Sequence, residues 1–207
     1  MENANLYPGG KDMPEKPDLV LASGSPRRRE LLERTGLRFT VDAPEVDEHT
    51  GLPPREAVQA LSRRKALAGA GAHPGRVILA ADTLVAVDDQ PLGKPADEAD
   101  AMRMLRLLSG RWHQVYTGVC VISPAGEAFS GLDVSEVLFA PLSEETIRGY
   151  AASGEPVDKA GGYALQGTAA LWIEAVRGCP SGIIGLPMPL ALRLLRQAGL
   201  SWDRADF

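Results

Sequence analysis

The chain has 207 residues, 44% of them hydrophobic and 24% charged, which suits one globular domain, or two lobes sharing a cleft, with a substantial core. Its net charge of -5 argues against a general nucleic-acid binder, which carries a broad basic face, but leaves room for a small basic pocket. No apolar run reaches transmembrane length, and Cys120 and Cys179 have no metal-ligand spacing, so both read as reduced thiols of a cytoplasmic protein.

Residues 1–17 are polar, with Pro and Gly and no apolar stretch of a signal peptide. A frayed tail is expected there, ahead of a single domain over 18–207. Leu19 to Ala22 reads as a strand, followed by Ser23-Gly24-Ser25-Pro26-Arg27-Arg28-Arg29. Ser25 suits an N-cap and Pro26 the first helical position, with Leu31, Leu32 and Thr35 on the apolar side and Gly36 as the stop. Three arginines in a first turn oppose the helix dipole by roughly 0.3–1 kcal/mol each, a conflict that a docked phosphate or carboxylate removes. Successive helical residues turn by about 100°, so the three cannot share one ligand, and Arg27, nearest the turn, is the one expected to bind it.

Arg38 to Val46 reads as a second extended piece, leading into Glu45, Asp47 and Glu48. These carboxylates form either a hard-cation site or an exposed turn. Pro54 opens a long helix through Val58 and Leu61 that frays near Gly71. Lys65 falls on its apolar stripe, where a lysine commonly snorkels outward and less often reaches inward to an anion. Val77 to Ala81 is a buried strand continued by Leu84 to Val87, with a turn at Asp88-Asp89. Asp82 stands inside this apolar run, and a carboxylate stripped of water there needs a partner: a metal, a lysine or backbone N–H groups.

Gly93-Lys94-Pro95 sets a lysine on a stiff turn. Asp97 caps the next helix, with Met104, Leu105 and Leu108 inward and Gly110 as its stop. Val115 to Ile122 and Val134 to Phe139 are β-branched, apolar strand candidates, and Ser143 caps a helix ending at Gly154. The glycine-rich segment after Lys159, Ala160 to Gly167, lets backbone approach a ligand, and Gln166 offers the donor and acceptor that reading a base edge needs. A strand over Ala169 to Val176 and a final helix from Pro187 or Pro189 to Gly199 complete the chain. No P-loop, dinucleotide fingerprint or nucleophile elbow occurs, and His49, His73 and His113 share no ligand spacing. The alternation predicts an α/β fold with a mixed twisted sheet and flanking helices.

Three segments together are specific: Leu21-Ala22-Ser23-Gly24-Ser25-Pro26-Arg27-Arg28, then Ala81-Asp82-Thr83 with Leu92-Gly93-Lys94-Pro95, then Asp158-Lys159-Ala160-Gly161-Gly162-Tyr163-Ala164-Leu165-Gln166-Gly167. In this order the chain resembles the Maf family of nucleotide pyrophosphatases from about Leu19 to Leu200. The resemblance implies two lobes around a deep cleft, of the Maf or inosine-triphosphatase kind. It implies hydrolysis of a nucleoside triphosphate between the α and β phosphates, and a divalent cation, Mg²⁺ or Mn²⁺. By resemblance, Asp82 is the proton acceptor, and Arg27, Thr83 and Gln166 bear on substrate choice. Ser23, Glu48, Lys65 and Lys94 match further polar positions of the family pocket, with Glu48 and Asp82 as the expected metal ligands.

Arg27, Thr83 and Gln166 look like the dTTP/UTP branch. The 7-methyl-GTP branch tends to carry Trp, Gln and Glu at those positions. Gly162 and Ala164 stand where the dTTP/UTP pattern more often has Ala and Gly. The expectation is a cytoplasmic, house-cleaning pyrophosphatase, linked in such proteins to septum formation, acting as a homodimer on a nucleotide with no nucleic-acid or membrane partner. The alternatives are a modified-purine pyrophosphatase and a non-catalytic nucleotide-binding regulator of septation.

Overall fold

The computed structural model describes residues 19–200, so the tail expected over 1–17 lies outside the described residues. One mixed sheet of seven strands forms the centre, in the order β2-β1-β3-β5-β6-β7, with β4 on β3. Strands β1 (Leu19–Leu21) and β2 (Phe39–Val41) run parallel, as do β1 and β3 (Val77–Val87). The neighbours β4 (Gln90–Leu92), β5 (Trp112–Ile122), β6 (Ala128–Phe139) and β7 (Ile173–Arg177) pair antiparallel. Helices α1 (Pro26–Glu33), α2 (Pro54–Ala72), α3 (Glu98–Leu108), α4 (Glu144–Ala152), α5 (Pro180–Ile184) and α6 (Met188–Gln197) flank it. This is the α/β architecture that the strand and helix alternation predicted.

Local chemistry explains most boundaries. Asp97 caps α3 by accepting the Asp100 N–H at 2.8 Å, and Ala101, Met104, Leu105 and Leu108 line its buried side. Ser143 caps α4 through the Thr146 N–H at 3.1 Å, with Ile147 and Tyr150 inward. Asp88 and Asp89 take φ of 49° and 60°, the left-handed pair of a tight hairpin between β3 and β4. Ser25 stands at the N-cap of α1 without a side-chain cap bond, which leaves the amide end of that helix uncapped by its own residue.

Three expectations change. The extended piece expected over 38–46 is only the three residues of β2. Strand β6 begins at Ala128 rather than Val134, because its first half, Ala128 to Asp133, pairs with β5 down to Ile122↔Ala128. The strand expected from Ala169 begins at Ile173, after a 3₁₀ turn over Thr168–Trp172. The Thr168 N–H is spent on the Glu155 carboxylate at 3.0 and 3.3 Å, and Leu171 is 81% exposed, so the period-two burial of a strand is absent.

The long central strands serve two cores. Val77, Leu79 and Ala81 of β3 pack with α1 and α6, whereas Val85 and Val87 pack with α3, α4 and Tyr163. On β5 the same division falls between Val119 and Val115. Each fully buried Leu or Val in these clusters contributes about 1.5–3 kcal/mol. The joint between them is at Asp82-Thr83-Leu84. Strand β1 stops at Leu21, level with Leu79, and β4 joins only at Val85, so this stretch of β3 has a gap along one edge. The cleft opens there, beyond the carboxyl end of β1, where ligands gather in open α/β sheets.

Candidate active site

The cleft has a volume of about 670 Å³, within the usual range for a ligand pocket. Its walls come from both cores: the β1–α1 turn and Gly185 on one side, Lys94 and the glycine-rich segment on the other. Ser23, Arg27, Glu48, Lys65, Asp82, Thr83, Lys94 and Gln166 all line it. Residues from nearly the full length of the chain thus meet around one hollow.

Asp82 is buried, and the alternation of β3 turns it to the face that carries Ile78 and Ala80, against α2. Lys65 of α2 reaches inward to it, with Nζ 2.6 Å from Asp82 Oδ1 and 2.7 Å from Glu48 Oε1. The inward reach, the less common fate of an apolar-stripe lysine, is the one observed. Gly118 makes it geometrically feasible. It pairs with Asp82 across β3 and β5, and a Cβ there would lie 2.3 Å from the Val58 carbonyl oxygen of α2. The missing side chain lets α2 lie directly on the sheet.

Burial pushes the Asp82 carboxyl above the ordinary aspartate range, while the Lys65 charge and hydrogen bond and the Arg28 charge hold it back. Exposed Glu48 is shifted the other way, chiefly by the hydrogen bond from Lys65. Two neighbouring acids are therefore driven apart, with the buried one the better base. Of the acidic cluster, only Glu48 lines the cleft. Asp47 instead accepts the His49 N–H at 2.9 Å within its own loop.

Of the three arginines, Arg27, the one expected at the ligand, and Arg28 line the cleft, and Arg29 does not. Arg29 pairs with Glu33 at 2.8 Å outside the cleft. Arg27 lines it and rests on Asp158 at 3.2 Å, where Lys159 also contacts the same carboxylate at 2.6 Å. Arg28 reaches deepest: Nε donates to Gly185 O at 2.8 Å, Nη1 to Ser23 Oγ at 3.1 Å and Nη2 to Thr83 Oγ1 at 3.1 Å. Burial lowers its pKa, with Asp82 opposing that shift. Gly185 has φ of +128°, which a residue with a side chain rarely adopts, so its carbonyl position depends on glycine. The sequence held a sign of Arg28: it precedes buried Leu31 and Leu32 by three and four residues, on the inward face of α1. Lys94 and Gln166 stand exposed on the opposite wall.

The donor set suits a hard divalent cation. Asp82 and Glu48 present carboxylate oxygens to one shared ammonium group. Among the described residues no cluster of three or more His, Cys, Asp or Glu could hold a metal by itself. Mg²⁺ characteristically takes one or two carboxylates and completes its shell with water and substrate phosphates.

The chain is similar to known proteins over most of its length. The chain is 50% identical over 186 residues to a dTTP/UTP pyrophosphatase of Deinococcus radiodurans, covering 89% of this chain and 95% of that protein. It is 48% identical over 183 residues to a dTTP/UTP pyrophosphatase of Symbiobacterium thermophilum, covering 87% and 94%. Among solved structures, the Staphylococcus aureus Ham1 protein aligns with a TM-score of 0.45 and 19% identity over 59% of this chain and 71% of that one. The family model described as Maf-like protein matches residues 18–198, and the chain belongs to that family.

Proposed function

We propose that this protein hydrolyses pyrimidine nucleoside triphosphates, dTTP and UTP, to the monophosphate and pyrophosphate. The observation that carries the reading is the buried Asp82 carboxylate, 2.6 Å from Lys65, in a cleft whose walls also present Arg27, Arg28 and Lys94. The names of relatives at 48–50% identity support the substrate class. In this reading the triphosphate lies across the cleft, with Arg27, Lys94 and the uncapped amide end of α1 on its phosphates. Asp82 accepts a proton from the attacking water as its oxygen bonds to the α-phosphorus. The bond to the bridging oxygen breaks, and pyrophosphate leaves with its growing charge offset by the cations. Asp82 and Glu48 would hold Mg²⁺ or Mn²⁺, which supplies Lewis-acid polarisation of the phosphate. Gln166 faces the base, where its amide matches the carbonyl and N3–H of a pyrimidine.

A cytoplasmic location and a homodimer belong to the same reading. Cys120 and Cys179 are free thiols, and among the described residues no helix is long and apolar enough to cross a membrane. The test is pyrophosphate release with Mg²⁺ across a panel of UTP, dTTP, CTP, GTP and 7-methyl-GTP. Preferential turnover of UTP and dTTP is expected. Nucleotide binding without turnover, or preference for a purine, overturns the reading.

Lys65 gives a pH-dependent check. Both of its contributions to Asp82 favour the ionised form. Lys65→Met therefore raises the Asp82 pKa further, and the acid limb of kcat/KM moves to higher pH. At neutral pH, kcat/KM falls roughly 10- to 150-fold, the worth of one charge-assisted hydrogen bond. An acid limb that stays in place in this variant separates Lys65 from Asp82.

A further inference from the structure

Thr117 is completely buried in β5, between Val115-Tyr116 and Gly118-Val119-Cys120-Val121. Packing alone would be served by valine, which has the same shape without a hydroxyl to satisfy. Yet the Thr117 hydroxyl has partners on both sides. Thr117 Oγ1 donates to the Gly182 carbonyl at 2.9 Å and lies 3.0 Å from Thr83 Oγ1, its register partner across β3 and β5. Thr83 Oγ1 in turn receives Arg28 Nη2 at 3.1 Å.

The direction of this chain is fixed at its ends. A guanidinium can only donate, and a carbonyl oxygen can only accept. Each threonine hydroxyl has a single proton. The Thr117 proton is committed to Gly182, so Thr117 oxygen accepts from Thr83. The Thr83 proton is thereby spent, and Thr83 meets Arg28 as an acceptor. With Gly185 O and Ser23 Oγ, this makes three fixed acceptors around the Arg28 fork. Arginine has five N–H donors, so two remain for a ligand in the cleft.

We infer that Thr117 is a positioning residue for nucleotide binding: it sets the hydrogen-bond polarity of Thr83, which locks the plane of the Arg28 guanidinium and aims its two remaining N–H groups at the substrate phosphates. Thr83 then bears on substrate choice through Arg28, with no proton of its own left for the ligand. The inference rests on the pyrophosphatase reading for its kinetic effect, while the locked guanidinium is a property of the free protein.

Thr117→Val removes the hydroxyl and keeps the shape, and Thr117→Ser keeps the hydroxyl. With wild-type protein active on UTP, Thr117→Val raises KM about 10-fold and leaves kcat within about twofold, because Arg28 holds ground and transition states alike. Thr117→Ser returns KM to within about twofold of wild type. In the nucleotide-free protein, ¹⁵N NMR of Arg28 shows slow rotation of the guanidinium in wild type and Thr117→Ser, and faster rotation in Thr117→Val, where Thr83 keeps its oxygen but not its fixed orientation. An unchanged KM in folded Thr117→Val overturns the inference, as does a serine variant as impaired as the valine one. If wild type turns over no nucleotide, the pyrophosphatase reading fails, and the NMR comparison still decides the role of Thr117: equal rotation in all three proteins overturns it. Should Thr117→Val not fold, Thr83→Val, which removes the acceptor that Thr117 orients, is expected to speed guanidinium rotation at least as much. Rotation as slow as wild type in that variant overturns the inference too.

Discussion

Asp82→Asn lowers kcat on UTP by about 10²- to 10⁴-fold, the usual worth of an acid–base group, with the fold retained. Asparagine has the size of aspartate and no basic oxygen. Retention of the fold follows from the sign of the pKa shift. Burial raises the Asp82 pKa, so above that pKa the ionised carboxylate carries a stability cost that a neutral amide avoids. Lys65 is not orphaned either, because Glu48 stays 2.7 Å from its ammonium. Steady-state kinetics with a melting curve check both halves. Turnover within about threefold of wild type would remove Asp82 from the centre of the mechanism, and loss of folding would make its role structural.

Gly118→Ala has the largest effect expected away from the reacting groups. The added Cβ meets the Val58 carbonyl oxygen at 2.3 Å, the Val58 carbonyl carbon at 2.6 Å and the Gln59 nitrogen at 2.9 Å. All three are backbone atoms of a helix, so no side chain can swing aside. Helix α2 must lift by about 1 Å or more to restore ordinary contact. Overpacking of this kind costs about 1–3 kcal/mol, or a fall in melting temperature of roughly 2–12 °C for a chain of this size. Lys65 rides on the same helix two turns further on, and its 2.6 Å contact with Asp82 lengthens with the shift. A displacement of about 1 Å at a catalytic contact can cost 10²-fold in rate, so kcat/KM falls roughly 10- to 100-fold. A melting temperature within 1 °C of wild type would mean that α2 has room the present packing does not display.

Sequence reading succeeded where information is local. Helix α3 was legible because its cap, its apolar side and its stop lie within one short stretch, and the cap bond from Asp97 is to the third residue on. Asp82 stood out because an acid in an apolar strand conflicts with its neighbours. Lys65 stood out for the same reason, although an apolar stripe does not say whether its lysine turns in or out. For the arginines two local signals diverge: nearness to the turn favours Arg27, whereas the inward face marked by Leu31 and Leu32 carries Arg28. The 3₁₀ turn before β7 was hidden because its cause, the Glu155 carboxylate, lies 13 residues away. Thr117 left no mark, since its partners Thr83 and Gly182 are 34 and 65 residues distant. No periodicity connects such positions; only the folded sheet does.

The bond from Arg28 to the Gly185 carbonyl joins residues 157 apart. During synthesis at about 5–20 residues per second, Arg28 emerges some 8–30 s before the residue that completes its socket exists. The nascent chain therefore carries a guanidinium without its final acceptor while most of the sheet is being made. On the proposed function, competence arrives only with the last part of the chain: a prematurely terminated copy lacking that segment has the aspartate and the lysine but no finished socket for Arg28.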